Sequence, residues 1–247
     1  MPPATYRIEG GDVPVGVLTL DDGKMNSIGF EMIRVLHEAL DQAEADEAKA
    51  LVITGTGKAL SAGFDLSVMG AFLGKGGDLA LVPKLVEEGG MLLMRVFCFP
   101  KPVVSVASGH SLAFGAMLLL AADFRVGRRG SKAKFGLNET AIGLEIPEFG
   151  WRLAQYRLHP THLTVSITQA AIYGAEEAVA VGYLDALADV DPLAVGLAKA
   201  RQLGGYVKQP AFARMKVKER KGLVDPIIAG MRADIAVLFG APSASKL

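Results

Sequence analysis

The sequence predicts an α/β domain with a helical C-terminal region, on three observations. Two runs rich in β-branched residues, Leu51-Val52-Ile53-Thr54 and Pro102-Val103-Val104-Ser105-Val106, read as buried strands. Each is followed by a glycine-containing turn and then by a segment that reads as helix: Ser61-Ala62-Gly63-Phe64-Asp65-Leu66 in the first case, residues 108–115 in the second. From Pro147 onward the signals are mainly helical. The two strand-to-helix turns leave free backbone N–H groups at helix starts. Brought together, such groups would bind a carbonyl oxygen as it becomes an oxyanion, which points to chemistry on an activated acyl group.

In chain order, residues 6–9 and 15–20 alternate as strands around the turn Gly10-Gly11-Asp12, and residues 21–24 form a loop. Across residues 27–45, Ile28, Met32, Val35, Leu36, Ala39, Leu40 and Ala43 recur at helical spacing. The strand at 51–54 and the turn at 61–66 lead into a short helix reaching Met69. Residues 70–90, rich in glycine, read as a mobile flap of the kind that selects substrates. Residues 91–97 are helical, and Pro100-Lys101-Pro102 ends that helix. A strand at 103–107, the second glycine turn, a helix at 114–122 and a strand at 124–127 follow. A short strand at 133–136 precedes Asn138-Glu139. Pro147 suits the first turn of a helix, with Glu148 near its positive end. Asp191-Pro192 and Asp225-Pro226 each read as a cap plus first-turn proline that starts a helix. We assign residues 1–190 to the core and 191–247 to a helical C-terminal oligomerisation region. Ile227, Ile228, Met231, Ile235, Val237 and Leu238 form the apolar stripe that motivates this assignment.

The 247 residues suit one large domain with room for an appendage. Lys+Arg and Asp+Glu number 26 each, so net charge is zero, and nothing marks a partner in nucleic acid or an anionic membrane. Hydrophobic residues make up 51%, with a mean hydropathy of +0.33, apolar surface that subunit contacts or the core can absorb. The single cysteine, Cys98, excludes an intramolecular disulfide and a Cys-based zinc site; between Phe97 and Phe99 it reads as a small buried hydrophobe. No signal segment opens the chain, and the longest apolar run, residues 112–122, is shorter than the roughly 20 residues a bilayer requires. A soluble intracellular protein is therefore expected, cytoplasmic in a bacterium. The terminal Ser245-Lys246-Leu247 is a peroxisomal address, and it directs the protein to the peroxisomal matrix if the host is eukaryotic.

Glu139 is the candidate general base, because it follows a strand signal among apolar neighbours (Leu137, Ala141, Ile142) that raise a carboxyl pKa. Glu145 lies close enough in sequence to support or replace it, and Glu148 reads as a helix-start carboxylate. From Ser111 to Ala122 there is no acid at all. Gly55-Thr56-Gly57-Lys58 fails as a phosphate loop, since Val52 and Ala59 occupy its first glycine and Ser/Thr positions. His37, His110, His159 and His162 have no metal-ligand spacing, so no metal is expected. Asp65 and Asp123 read as residues that fix turn and strand ends.

Taken in order, these segments resemble the crotonase (enoyl-CoA hydratase/isomerase) superfamily. Asp22-Gly23-Lys24-Met25-Asn26-Ser27 is similar to the loop after that family's second strand, and Ser61-Ala62-Gly63-Phe64-Asp65-Leu66 to its Cys/Ala-Ala-Gly-Ala-Asp-Leu turn. Residues 108–125 resemble its Asn-Gly…Gly-Gly-Gly…Cys-Asp-Leu-Arg block, and Phe135-Gly136-Leu137-Asn138-Glu139 its Phe-Gly-x-Pro-Glu segment. The resemblance implies a crotonase-like ββα spiral core, a trimer or dimer of trimers, and a fatty acyl-CoA thioester substrate, with coenzyme A as part of that substrate and no other cofactor. It implies an oxyanion hole made by the backbone N–H groups of Phe64 and Phe114, Glu139 as acid/base, and the adenine end near Lys24, Met25 and Ala62. Gly63, Asp65, Gly115 and Met117 complete the implied substrate-binding set. Met117 stands where the family's hydratases carry a glutamate, Ala113 and Phe114 replace two glycines, and residues 143–147 run one residue longer than usual. Moving a proton from C2 to C4 of an acyl chain needs one base and an oxyanion hole, so a 3-enoyl to 2-enoyl isomerase is expected first. A 2-enoyl-CoA hydratase using Glu139 with Glu145, and a non-catalytic acyl-CoA-binding protein, are the alternatives.

Overall fold

The computed structural model describes residues 1–239. The chain begins with β1 (Ala4–Glu9), β2 (Val15–Leu20), α1 (Phe30–Ala45), β3 (Ala50–Gly55), β4 (Ala59–Ser61), α2 (Leu66–Met69) and α3 (Leu81–Phe97). It continues through β5 (Val103–Ala107), β6 (His110–Leu112), α4 (Phe114–Ala121), β7 (Phe124–Arg128), β8 (Phe135–Gly136) and α5 (Glu148–Arg157). The described part closes with α6 (Leu163–Ile167), α7 (Ala175–Val181), β9 (Ala186–Ala188), α8 (Pro192–Tyr206) and α9 (Ala211–Phe239).

The long strands form a six-stranded sheet in the order β1-β2-β3-β5-β7-β9, parallel except for the β1–β2 hairpin. The short strands form a second, parallel sheet, β4-β6-β8. The pairs β3–β4, β5–β6 and β7–β8 therefore each contribute one strand to each sheet, and the α/β class is as the sequence predicts. The large sheet is covered on both faces, which is why its strands read as nearly unbroken Val, Ile and Ala runs. On one face α8 lies flat over Val15, Val17, Val52, Val104, Val106 and Val126. Gly196 makes this close approach possible: a Cβ there would lie 2.3 Å from Val106 Cγ2. Asp191 caps α8 by accepting from Leu193 and Ala194 N–H at 2.9 and 3.2 Å, the cap that Asp191-Pro192 predicts.

Three sequence expectations are corrected. The helix expected from residue 27 begins at Phe30, because Ile28 is held in a bridge to Phe64. Only residues 70–80 are irregular in the expected 70–90 flap, since α3 already starts at Leu81. Gly89 and Gly90 are packing notches on its buried face. A Cβ at Gly89 would lie 2.6 Å from the Phe64 ring and 2.9 Å from the Phe114 ring, and one at Gly90 would lie 2.3 Å from Met231 Sδ. The helix expected to start at Asp225-Pro226 does not, because α9 runs through Pro226. Burial of Ile227 and Met231 against α3 and α5 outweighs the missing proline N–H. Those two residues, expected on an intersubunit face, thus sit in this chain's own core. The region after Pro147 is mainly helical, as expected, and adds one strand, β9, which extends the large sheet beside β7.

α9 is tied to the core by a buried ionic cluster. Asp123, at the start of β7, accepts from Lys216 Nζ and Arg220 Nη2, each at 2.7 Å, and from Val103 N–H at 2.8 Å. The Lys216 and Arg220 side chains are only 3% and 6% exposed. Asp123 therefore holds a strand end, as expected. Cys98 is half-buried, packed at the edge of the core.

Candidate active site

The second sheet organises the site. β4, β6 and β8 pair in parallel, with Ser61 opposite Ser111 and Leu112 opposite Gly136. Each strand then runs directly into a loop: Ala62 to Asp65, Ala113 to Phe114, and Leu137 to Glu139. Three successive turns of the spiral thereby deliver Phe64, Phe114 and Glu139 to one level.

Gly63 adopts φ +114°, a conformation that favours glycine. Its packing locates the neighbouring turn, because a Cβ there would lie 3.1 Å from Ala113 Cβ and 3.9 Å from Phe114 N. Ile28 donates to Gly63 O and accepts from Asp65 N–H, both at 2.9 Å, which leaves Phe64 N–H between them unused. Among the described residues neither Phe64 N–H nor Phe114 N–H has a hydrogen-bond acceptor. Asp65 caps α2 by accepting from Ser67 N–H at 2.8 Å. Gly115 is pressed against the Ser61 carbonyl, where a Cβ would lie 2.0 Å from the oxygen. Both residues therefore shape the turns from behind.

Ala113 presents Phe114 N–H from φ 50°, ψ −123°, a strained conformation for a residue with a Cβ. Ala113→Gly is expected to raise stability by about 1 kcal/mol, relief of strain exceeding the added entropy of the unfolded chain. Urea denaturation checks it; an unchanged or lower midpoint contradicts the strain.

Two connected chambers meet at Glu139. The outer one is bordered by Ala62, Gly63, Ala113, Asn138 and Ile142, with Lys75 at its rim. The inner one is lined by Phe64, Met69, Phe72, Val86, Met117, Glu139, Leu144, Glu145 and Pro147. Glu139 is 6% exposed, and its Oε2 has no hydrogen-bond partner. Burial without a compensating cation raises its carboxyl from the ordinary 4.5 to about 7. Met117 is buried in the inner wall. Glu145 borders the same chamber but is exposed to solvent, and Glu148 is engaged by Arg152 Nε at 2.6 Å.

Lys24 and Met25 lie next to the first turn and outside the lining of both chambers. Met25 O accepts from Ala62 N–H at 3.0 Å. Asp22 holds this loop by accepting from the N–H groups of Lys24, Asn26 and Ser27 at 2.7–2.8 Å, and these bonds keep its carboxyl below the usual range despite partial burial. Buried Asn26 anchors it to the β3–β4 connection by donating to Ala59 O at 2.8 Å. His110 Nδ1 accepts from Lys134 N–H at 3.1 Å and is thereby used in the fold. Sequence reasoning missed the inner walls Met69, Phe72, Val86 and Leu144. The i, i+3, i+4 spacing of Val82, Leu85 and Val86 was the available signal for α3.

The family model described as enoyl-CoA hydratase/isomerase matches residues 11–234. A Rhodobacter capsulatus protein named probable enoyl-CoA hydratase is 33% identical over 91% of this chain and 83% of its own length. The chain spans about half the length of two other relatives it matches, 53% of one from Thermus thermophilus and 54% of one from Bacillus subtilis. Among solved structures, an enoyl-CoA hydratase/isomerase family protein from Pseudomonas syringae superimposes with TM-score 0.88 at 35% identity, covering 96% of this chain and 98% of that one. A Mycobacterium tuberculosis protein is described in one structure as a probable enoyl-CoA hydratase (TM-score 0.87, 33% identity, 96% of each chain). In another it is described as an enoyl-CoA isomerase (TM-score 0.82, 30% identity, 96% of this chain and 97% of that one).

Proposed function

This chain belongs to the enoyl-CoA hydratase/isomerase family, and from that premise we propose that it is a 3-enoyl-CoA isomerase working with one glutamate and two backbone amides. The observation that carries this reading is that Glu139 is the only buried carboxylate bordering either chamber among the described residues. The thioester oxygen accepts hydrogen bonds from Phe64 and Phe114 N–H, and these strengthen as negative charge moves onto it. A donor so placed contributes about 3–4 kcal/mol of transition-state stabilisation. With C1 held there, Glu139 takes a proton from C2. The electron pair spreads through the thioester and the C3–C4 double bond as a dienolate. The same carboxyl returns the proton to C4, leaving the double bond between C2 and C3. A carboxyl poised at about 7 is basic enough to accept the proton near neutral pH and acidic enough to give it back.

Hydration would need a second group to position and activate water, and Met117 fills the inner wall where a second buried acid would serve. Glu145, which borders the same chamber, and the name of the Rhodobacter relative favour hydratase as the second reading. A passive binder would have no use for a carboxyl held in an apolar site against its desolvation penalty. Supplied with matched substrates, the wild type is expected to convert 3-enoyl-CoA to 2-enoyl-CoA faster than it hydrates 2-enoyl-CoA. Brisk hydration with 3-enoyl-CoA left untouched would reverse the assignment and make Glu145 the next residue to mutate.

We also propose the family's trimer or dimer of trimers, a use for exposed apolar side chains such as Val190 and Met215 at 80% and 61% exposure. No described helix is long and apolar enough to cross a membrane. The terminal tripeptide lies outside the described residues.

A further inference from the structure

Resting on the acyl-CoA reading above, we infer that this site selects short, uncharged enoyl chains, with Phe64, Val86 and Met117 as the residues that close the pocket. The thioester binds in the outer chamber, where the two turns lie, and Glu139 marks the position of C2. The rest of the acyl chain then enters the inner chamber, whose cavity volume is about 40 Å³. Against the roughly 150 Å³ of a cavity that holds one benzene ring, that space takes about two carbons beyond C2.

The walls formed by Phe64, Val86 and Met117 have nowhere to retreat. The Phe64 and Phe114 rings pack together at 4.7 Å between centroids, and both rest on the α3 backbone at Gly89, which already lacks a side chain. Met117 is seated in the same way on α5 at Gly150, where a Cβ would lie 2.5 Å from its Cε. Val86 is 3% exposed on the rigid inner face of α3. Toward α3, α4 and α5 a longer chain must therefore displace backbone, a costlier movement than turning a side chain in a close-packed interior. Charge is selected as well. The ionisable groups on the inner lining are Glu139 and Glu145, so a chain ending in a carboxylate meets repulsion and no cation.

The test is a chain-length series of 3-enoyl-CoA substrates from C4 to C12, with 2-enoyl-CoA of the same lengths run for hydration and saturated acyl-CoA for binding. For the wild type, kcat/KM is expected to fall about a hundredfold between C6 and C10, since one misfit methylene alone is worth about 10- to 200-fold. Met117→Ala and Val86→Ala each enlarge the chamber and are expected to raise the C8-to-C4 ratio at least about tenfold. Val86→Ala, the smaller truncation, carries the test if Met117→Ala does not fold. The selection is overturned if wild type handles C10 within tenfold of C4, or if folded variants leave the ratio unchanged. Absence of binding and turnover at every length would instead overturn the acyl-CoA reading itself, and this inference with it.

Discussion

Glu139→Gln is expected to lower kcat at least about a hundredfold while leaving acyl-CoA binding intact, because positioned general bases contribute roughly 10²–10⁴. The Phe64 and Phe114 amides, proposed to hold the thioester, are untouched by the change. Wild-type kcat is expected to rise with pH through about 7 as Glu139 loses its proton, and the variant's residual rate should lack that rise. The same substitution is expected to stabilise the fold at high pH. Burial places the folded-state pKa of Glu139 above its ordinary value of 4.5, so the folded chain holds this proton more tightly than the unfolded one. That contribution is fully present below pH 4.5 and is lost as pH rises through about 7. Glutamine stays neutral throughout, so at pH 8 the variant is expected to exceed wild type by on the order of 3 kcal/mol, the gap shrinking toward pH 5. Denaturant titrations at the two pH values, beside acyl-CoA titrations and steady-state rates, check both halves. A variant with wild-type kcat would remove Glu139 from the chemistry.

Asp123→Ala is expected to cost about 3–5 kcal/mol, the usual consequence of stripping one partner from a buried ion pair. Lys216 and Arg220 would keep their charges in the interior with no counter-ion, and Val103 N–H would lose its acceptor. The loss is expected to shrink as pH rises. Burial already lowers Lys216 to about 8, and without Asp123 its proton is held more weakly still. The unfolded chain then binds more protons than the folded one, and stability climbs with pH. Adding Lys216→Met should recover part of the loss at neutral pH, since removing an orphaned charge removes its desolvation penalty. Urea midpoints for the single and double variants at pH 6 and 9 decide the matter. A loss below about 1 kcal/mol would mean that the cluster is hydrated and worth no more than a surface pair.

Much of this molecule was legible in local pattern. Residues 51–54 and 103–107 announced themselves as buried strands through β-branched runs. The turns at Gly63 and Gly109–Gly115 announced helix starts, and Glu139 stood out as an acid among apolar neighbours. Each of these rests on interactions between residues a few positions apart, which a linear sequence records directly. Gly89 and Gly90 misled for the complementary reason. Glycine weakens an isolated helix, yet here it admits the rings of Phe64, Phe114 and Phe149, and those partners lie 25 or more positions away. Pro226 misled in the same way, because the burial of Ile227 and Met231 that carries α9 past it comes from α3 and α5.

By itself, the sequence determined the α/β class and singled out the two glycine turns and the carboxyl proposed as the base, because backbone conformation and side-chain chemistry are set locally. Only the tertiary structure decided that the three loops share one level, that the inner chamber is small, and that Asp123 holds α9 to the core. Those outcomes depend on the parallel register of β4, β6 and β8 and on side chains meeting across helices, contacts between segments that no local periodicity encodes.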